Sequence, residues 1–208
     1  MKNNGFVTIM MNIGNWIVYL AHINFMWLLH SLMGLFILGI FPATVALLSV
    51  IRFQLKQGNT TSIWNIYHRV FKKEFIKSNI VGFLYLIIGV ITYADFKFIQ
   101  MQDNFIFMTL SYTVLILLII YGVIGLFLFP LFAHYDLSIK DYFKYAFFVS
   151  ISNPINTILT LSILIVACII MILLPGLILF YGASIPAYIM MWSAYRLFNK
   201  IDMKASVK

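Results

Sequence analysis

The sequence predicts an all-α protein, a polytopic bundle of transmembrane helices that forms a single membrane domain over residues 1–208. Of its residues, 63% are hydrophobic and 10% are charged, whereas a soluble domain carries about 25% charged residues. Uncharged apolar stretches recur at about the 20-residue length that crosses the hydrocarbon core. Between them, six of the fourteen Lys and Arg residues fall within residues 52–77, as in a cytoplasmic loop.

The chain begins with a long uncharged region, residues 5–51. Polar residues in its first half are spaced at intervals of four, three, four and three, which places them on one face of a helix. They are Thr8, Asn12, Asn15, Tyr19 and His22. Such a helix lies in the membrane interface or lines a protein interior. We therefore expect an interfacial helix over residues 5–22 and a first span at about 24–51; the alternative is two spans here.

Four further spans are predicted at about 79–99, 105–132, 154–174 and 177–198. Five spans with the N-terminus outside place every cation except Lys2 and Lys97 on the cytoplasmic side, together with the C-terminus. The six-span alternative only moves Lys2 inside. The net charge is +8, and the cations flank apolar spans, so we expect them to be attracted to anionic lipid headgroups. Membrane lipids are thus expected partners, and nucleic acid is not.

The basic loop over residues 52–78 contains a predicted amphipathic helix. Its apolar face is formed by Ile63, Tyr67, Val70, Phe71 and Phe75. The cations expected to contact the inner leaflet or a cytoplasmic partner are Arg69, Lys72, Lys73 and Lys77. Residues 134–153 form a second segment of this type on the inner face. Both contain the pattern Phe-Lys-x-x-Phe-x-x-Ser, and these four matched positions leave open whether the chain contains an internal repeat.

The segment from Gly39 to Thr44 is the sharpest local signal for a kink. Pro42 inside a span removes a backbone hydrogen bond, and the small residues Gly39 and Ala43 allow another helix to approach closely. The kink serves either packing or the lining of a gate or substrate path. Asn24 and Trp27, one turn apart, are expected to anchor the outer end of the first span, with the indole at headgroup level.

No pattern of residues predicts catalysis, a cofactor or a metal site. His22 and His30 lie about 12 Å apart along a helix, which is too far to bind one metal ion. The acidic residues fall in loops or at span ends, which argues against an ion-driven carrier. No nucleophile elbow or phosphate loop is present. A non-enzymatic protein is therefore expected.

Three motifs resemble the YesL-type family of small bacterial membrane proteins of unknown function. They are Asn24-x-x-Trp27-Leu28-Leu29, the run from Gly39 through Pro42, Ala43 and Thr44 to Leu47, and the run from Phe129 to Leu137 with Pro130, His134 and Asp136. Residues 71–79 also match. The chain departs from the family at its N-terminus, where an uncharged polar stripe replaces charges.

The resemblance implies a bacterial plasma-membrane protein, encoded beside carbohydrate-uptake and glycan-degrading systems. The leading hypothesis is an accessory component of a carbohydrate ATP-binding-cassette (ABC) importer, with its permease as partner. The alternatives are a membrane sensor or scaffold and a small-molecule-binding subunit that resembles the substrate-binding components of energy-coupling-factor transporters. The hypothesis of a small-molecule-binding subunit predicts a deep polar pocket. Its candidate residues are Asn12, Asn15, His22, Asn24 and His30.

Overall fold

The computed structural model describes residues 5–58, 62–102 and 104–206. Within these ranges the chain forms nine α-helices and no strand, so the predicted all-α class is confirmed. The helices are α1 (Gly5–Met33), α2 (Ile40–Gln57), α3 (Ile63–Lys73), α4 (Phe75–Gln100), α5 (Phe105–His134), α6 (Ile139–Ser152), α7 (Pro154–Leu173), α8 (Gly176–Tyr181) and α9 (Ser184–Ser206). Lys2 and residues 59–61 of the basic loop lie outside the described residues.

Four of these helices are long and apolar enough to cross a membrane: α1 from Val7, α4, α5 and α7. The predicted membrane bundle is confirmed, but the count differs from the five or six spans expected. In α2 and α9 the apolar stretch ends early, at Arg52 and Arg196. The twelve residues before each cation cover about 18 Å at the helical rise, against a hydrocarbon core of about 30 Å.

The predicted boundary between an interfacial helix over 5–22 and a first span over 24–51 is wrong. Helix α1 continues without a break to Met33, and the chain reverses over residues 34–39 before α2 begins at Ile40. The sequence around residue 23 contains neither Gly nor Pro, so nothing there interrupts the helix. The predicted span at 177–198 is likewise divided, because α8 ends at Tyr181 and α9 starts at Ser184.

The reversal over residues 34–39 depends on its two glycines. A methyl group on Gly34 would collide with the backbone of Gly39, and one on Gly39 would collide with the carbonyl of Ser31. Between them Leu35 and Phe36 adopt positive φ angles of 57° and 60°, which side-chain-bearing residues rarely do. The close backbone approach therefore holds a turn whose conformation is unfavourable in isolation.

The sequence predicted a kink at Pro42, but Pro42 does not lie inside a span. It lies in the first turn of α2, where a helix has no intrahelical partner for its N–H groups, so that the missing N–H costs little. Asn79 from α4 supports the preceding turn, because its Nδ2 donates to the carbonyl of Leu38 at 2.9 Å. The motif from Gly39 to Thr44 is thus a helix start after a chain reversal.

Helix α2 is the centre of the bundle and packs against α1, α3, α4, α5 and α9. Seven consecutive residues of α2, from Val45 to Ile51, are buried. One hydrophobic cluster joins α2 to α1, α3 and α9 through Ile23, Tyr67 and Met191. A second lies mainly among α5, α6 and α9.

Helices α4 and α5 form a hairpin closed by a reciprocal pair of tyrosines. Tyr85 donates its hydroxyl to the carbonyl of Tyr121 at 3.2 Å, and Tyr121 donates to the carbonyl of Tyr85 at 3.0 Å. The two rings are stacked with centroids 4.3 Å apart. Gly89 and Gly125 make room for the hydroxyl groups, since a methyl group at either position would collide with one of them.

We expect Gly39→Ala to destabilise the protein by about 1–3 kcal/mol, because the added methyl group forces backbone away from backbone at the reversal. Thermal unfolding of the purified protein in detergent measures the effect. Gly122→Ala is the control, because a methyl group there meets no atom within 4 Å. Equal unfolding temperatures for the two variants would contradict the close approach at residues 34–39.

Candidate functional site

The side-chain amide of Asn24 connects the first helix of the bundle to the last. Its Nδ2 donates to the carbonyl of Leu179 at 2.9 Å, and its Oδ1 accepts from the backbone N–H groups of Ala183 at 2.9 Å and Ser184 at 3.3 Å. Asn24 is 2% exposed. The amide therefore forms hydrogen bonds with backbone groups that have no helical partner at the break between α8 and α9. The sequence had instead predicted that Asn24 anchors the outer end of a span.

Trp27 also bonds inside the bundle, although it was expected at the headgroup level. Its Nε1 donates to Oγ1 of Thr44 at 3.0 Å, and the Thr44 hydroxyl donates to the carbonyl of Ile40 at 2.7 Å. This pair joins α1 to the first turn of α2, next to buried Ala43. Three of the motif residues thus fix how α1 meets its neighbours.

An open cavity of about 520 Å³ adjoins these residues and is mostly apolar. Its lining includes Asn24, Trp27, Thr44, Leu47, Leu48, Phe129, Ile178 and Met190. The polar pocket that a small-molecule-binding subunit would need is not assembled from the five predicted residues. Asn12, Asn15 and His22 are exposed, and His30 is buried against α3.

Helix α3 packs against α1 and α2 through the apolar face that the sequence predicted. Tyr67, 0% exposed, donates its hydroxyl to the carbonyl of Ala43 at 2.6 Å. Its ring lies 4.5 Å from that of His30, and His68 Nδ1 is 3.4 Å from His30 Nε2. Reasoning from sequence placed His30 among the candidate pocket residues and gave Tyr67 only a place on an apolar face. The aromatic spacing in α3 was the available signal.

Three of the four cations predicted for the basic face lie exposed on α3. Arg69, Lys72 and Lys73 are exposed. Lys77 belongs to α4, is partly buried, and forms an ion pair with Asp136. The exposed basic face of α3 is therefore smaller than predicted, because Lys77 lies on α4 and pairs with Asp136.

A second, more polar cavity of about 250 Å³ lies among α2, α3, α5 and α6, and we name it the Arg52 pocket. Its lining comprises Val45, Ser49, Arg52, Ile66, Val70, Lys73, Glu74, residues 132–136 and Tyr142. Arg52 donates from Nη1 to the carbonyl of His134, at the end of α5, at 2.9 Å. Burial lowers the pKa of this guanidinium. The sequence counted Arg52 only as a loop cation.

Hydrogen bonds hold the chain at the edge of this pocket, where α5 gives way to α6. The Tyr142 hydroxyl donates to the carbonyl of Tyr135 at 3.0 Å and accepts from the N–H of Leu137 at 3.1 Å. Lys77 holds the pKa of Asp136 below its ordinary value. The pair therefore stabilises the fold above the ordinary carboxyl pKa and is lost as the pH falls through the lowered one. Pro130 is buried in α5, one turn before His134.

Among the described residues, no three His, Cys, Asp or Glu side chains lie close enough to hold a metal ion. The one cysteine, Cys168, is exposed on α7. The apolar cavity can receive apolar groups, and the Arg52 pocket presents a guanidinium and an ammonium group, from Arg52 and Lys73.

Comparison with known proteins places the chain among uncharacterized sequences. The model of DUF624, a protein family of unknown function, matches residues 20–96. Three uncharacterized proteins of Bacillus subtilis (strain 168) align along most of the chain. YteU is 28% identical over 97% of this chain and 90% of its own length. YesL is 26% identical over 91% and 89%, and YesV is 28% identical over 89% and 89%. No solved structure matches. These similarities confirm the resemblance predicted from the sequence.

We expect Asn24→Ala to lower the free energy of unfolding by about 3 kcal/mol, because it leaves buried backbone groups of α8 and α9 without partners. Thermal unfolding in detergent provides the measurement, with Asn65→Ala on the exposed face of α3 as the control. If both variants unfold at the wild-type temperature, Asn24 does not hold the two ends of the bundle together.

Proposed function

We propose that this chain, which belongs to the YesL-type family, is a non-enzymatic accessory component of a carbohydrate ABC-type uptake system. It resides in the bacterial plasma membrane, and in this proposal α8 and α9 together return the chain across the membrane after α7, so that the C-terminus lies in the cytoplasm. The family resemblance supports the link to sugar import, since it implies a place beside carbohydrate-uptake systems. Four helices suited to crossing a membrane support the location. The role requires a surface that binds a permease, and α1 offers one.

The first half of α1 is the observation that carries this proposal. Every residue from Val7 to Val18 is exposed, although the helix continues into the packed bundle. Only near its end does this half meet the protein, where the ring of Trp16 lies 5.1 Å from that of Tyr188. A membrane helix exposed on all sides is free to pack against a helix of another protein.

One face of this exposed half carries polar groups that suit helix association. Thr8, Asn12 and Asn15 lie on the same side and are surrounded by apolar residues. In lipid, an asparagine side chain without a hydrogen-bond partner is unfavourable, and such side chains bond across neighbouring helices. The permease is proposed as the source of the second helix.

The basic face of α3 orients the protein in this proposal. Tyr67 and Phe71 pack inward, and this directs Arg69, Lys72 and Lys73 away from the bundle. Cations at the membrane surface each contribute about 1 kcal/mol of attraction to anionic lipid. Contact with the inner leaflet holds α3 at the cytoplasmic side.

A small-molecule-binding subunit is the second candidate function, and the cavity of about 520 Å³ favours it. Its polar lining groups are already bonded within the bundle: Asn24 to α8 and α9, and Trp27 to Thr44. Such a ligand would be recognised by apolar contacts. A sugar, which needs hydrogen bonds, does not suit this cavity.

We expect a photoreactive phenylalanine analogue at position 12 to form a covalent adduct with a sugar permease in native membranes. The same analogue at position 10 is the matched control, because Met10 is 59% exposed and lies on the opposite side of α1. Mass spectrometry of the adducts identifies the partner. Equal adducts at both positions, or none at position 12, would remove the evidence for a permease on the polar face.

The proposed orientation predicts which engineered cysteines react in intact cells. In a Cys168→Ser background, a membrane-impermeant thiol reagent labels Gln102→Cys directly and labels Arg69→Cys only after the membrane is opened. Both positions are exposed, so access through the membrane is the only difference tested. Labelling of Arg69→Cys in intact cells would show that α3 lies outside the cell and would contradict the proposed topology.

A further inference from the structure

Arg52 enters the Arg52 pocket from the central helix of the bundle. Its Nη1 donates to the carbonyl of His134 at 2.9 Å. A guanidinium has five N–H donors in a planar arrangement, so this bond leaves most of its donors available. Within the described part of the chain, no carboxylate forms an ion pair with it.

The acidic side chains around the pocket have other partners. Glu74 lies 3.2 Å from the ammonium group of Lys73, and Asp136 is paired with Lys77. Beyond the pocket, Asp202 accepts a hydrogen bond of 2.8 Å from the Tyr135 hydroxyl and lies 3.6 Å from Nε2 of His134. Arg52 is therefore partly buried and has no ion-pair partner among the described residues, which favours the binding of an anion.

We propose that the Arg52 pocket binds a phosphate group, with Arg52 as its principal ligand. The planar guanidinium fits two phosphate oxygens side by side, which a single ammonium group cannot do. Lys73 lines the same cavity, where its ammonium group is paired with Glu74. The volume of about 250 Å³ is well above the roughly 15 Å³ that one water molecule requires.

Two sources offer this chemistry. One is the headgroup of an anionic phospholipid, because the pocket adjoins the basic helix α3, which we place at the inner leaflet. The other is a phosphorylated solute of the cytoplasm. Both would place a phosphate group against Arg52, so the same variants test both and the probe distinguishes them.

The first experiment uses the full-length protein in a neutral detergent and inorganic phosphate as the probe. Phosphate is titrated against chloride at equal ionic strength while the thermal unfolding midpoint is recorded. We expect a saturable rise for the wild-type protein and at least about tenfold weaker apparent affinity for Arg52→Gln. Lys97→Gln is the control: it removes one positive charge from an exposed position near the end of α4 and should respond as wild type.

The second experiment places the same proteins in lipid nanodiscs that contain phosphatidylglycerol and phosphatidylcholine. Native mass spectrometry counts the phosphatidylglycerol molecules retained on release. Retention that Arg52→Gln loses and Lys97→Gln keeps identifies a lipid headgroup as the ligand. An Arg52-dependent phosphate response without such retention identifies a solute. If neither probe depends on Arg52, the proposal is overturned.

Arg52→Lys separates binding from folding. It keeps the positive charge beside the His134 carbonyl but lacks the planar pair of donors. We expect it to fold with wild-type helicity by circular dichroism and to bind more weakly than wild type. Wild-type affinity in this variant would show that charge alone suffices and would overturn Arg52 as a two-point phosphate ligand. If Arg52→Gln folds poorly, the wild-type titration and Arg52→Lys still test the proposal, because the absence of a saturable response in the wild-type protein would overturn it.

Discussion

The bundle depends on one constraint: where a helix ends inside an apolar environment, the released backbone groups need hydrogen bonds that water does not supply. Three of the breaks between helices are served by side-chain hydrogen bonds. Asn24 serves the break between α8 and α9, and Asn79 serves the reversal before α2. Arg52 serves the end of α5, and Tyr142 serves the segment that follows. Polar residues rare in this composition are therefore concentrated where the chain turns.

Apolar length predicted much of the fold. The spans expected at 79–99, 105–132 and 154–174 correspond to α4, α5 and α7, because a long uncharged run has few alternatives to a membrane helix. The apolar face of α3 followed from its spacing for the same kind of reason. Helix breaks were harder to place. A proline reads as a kink or as a helix start depending on what precedes it, and Pro42 follows a reversal that only the contact between Gly34 and Gly39 explains.

The candidate sites were less predictable than the fold, because they depend on pairs distant in the sequence. Asn24 was singled out by its motif, but its partners are 155 to 160 residues away. Arg52 was one cation among six in a loop until the fold placed it beside His134. Lys77 shows the reverse case: its spacing assigned it to the basic face of α3, but it lies on α4 and pairs with Asp136. Local spacing indicates which residues share a face, whereas it carries no information on what a distant turn brings near.

The bonds of Asn24 also constrain the order in which the protein is completed during synthesis. Its amide enters the membrane with the first helix, and the carbonyl and N–H groups that satisfy it belong to residues 179–184. Until the ribosome has translated that segment, the nascent chain holds an unpaired amide in an apolar stretch. The hydrogen bonds of the first helix at Asn24 can therefore form only after the C-terminal helices have been synthesised. A chain truncated before residue 179 would present that unpaired amide to the proteases that remove unassembled membrane proteins.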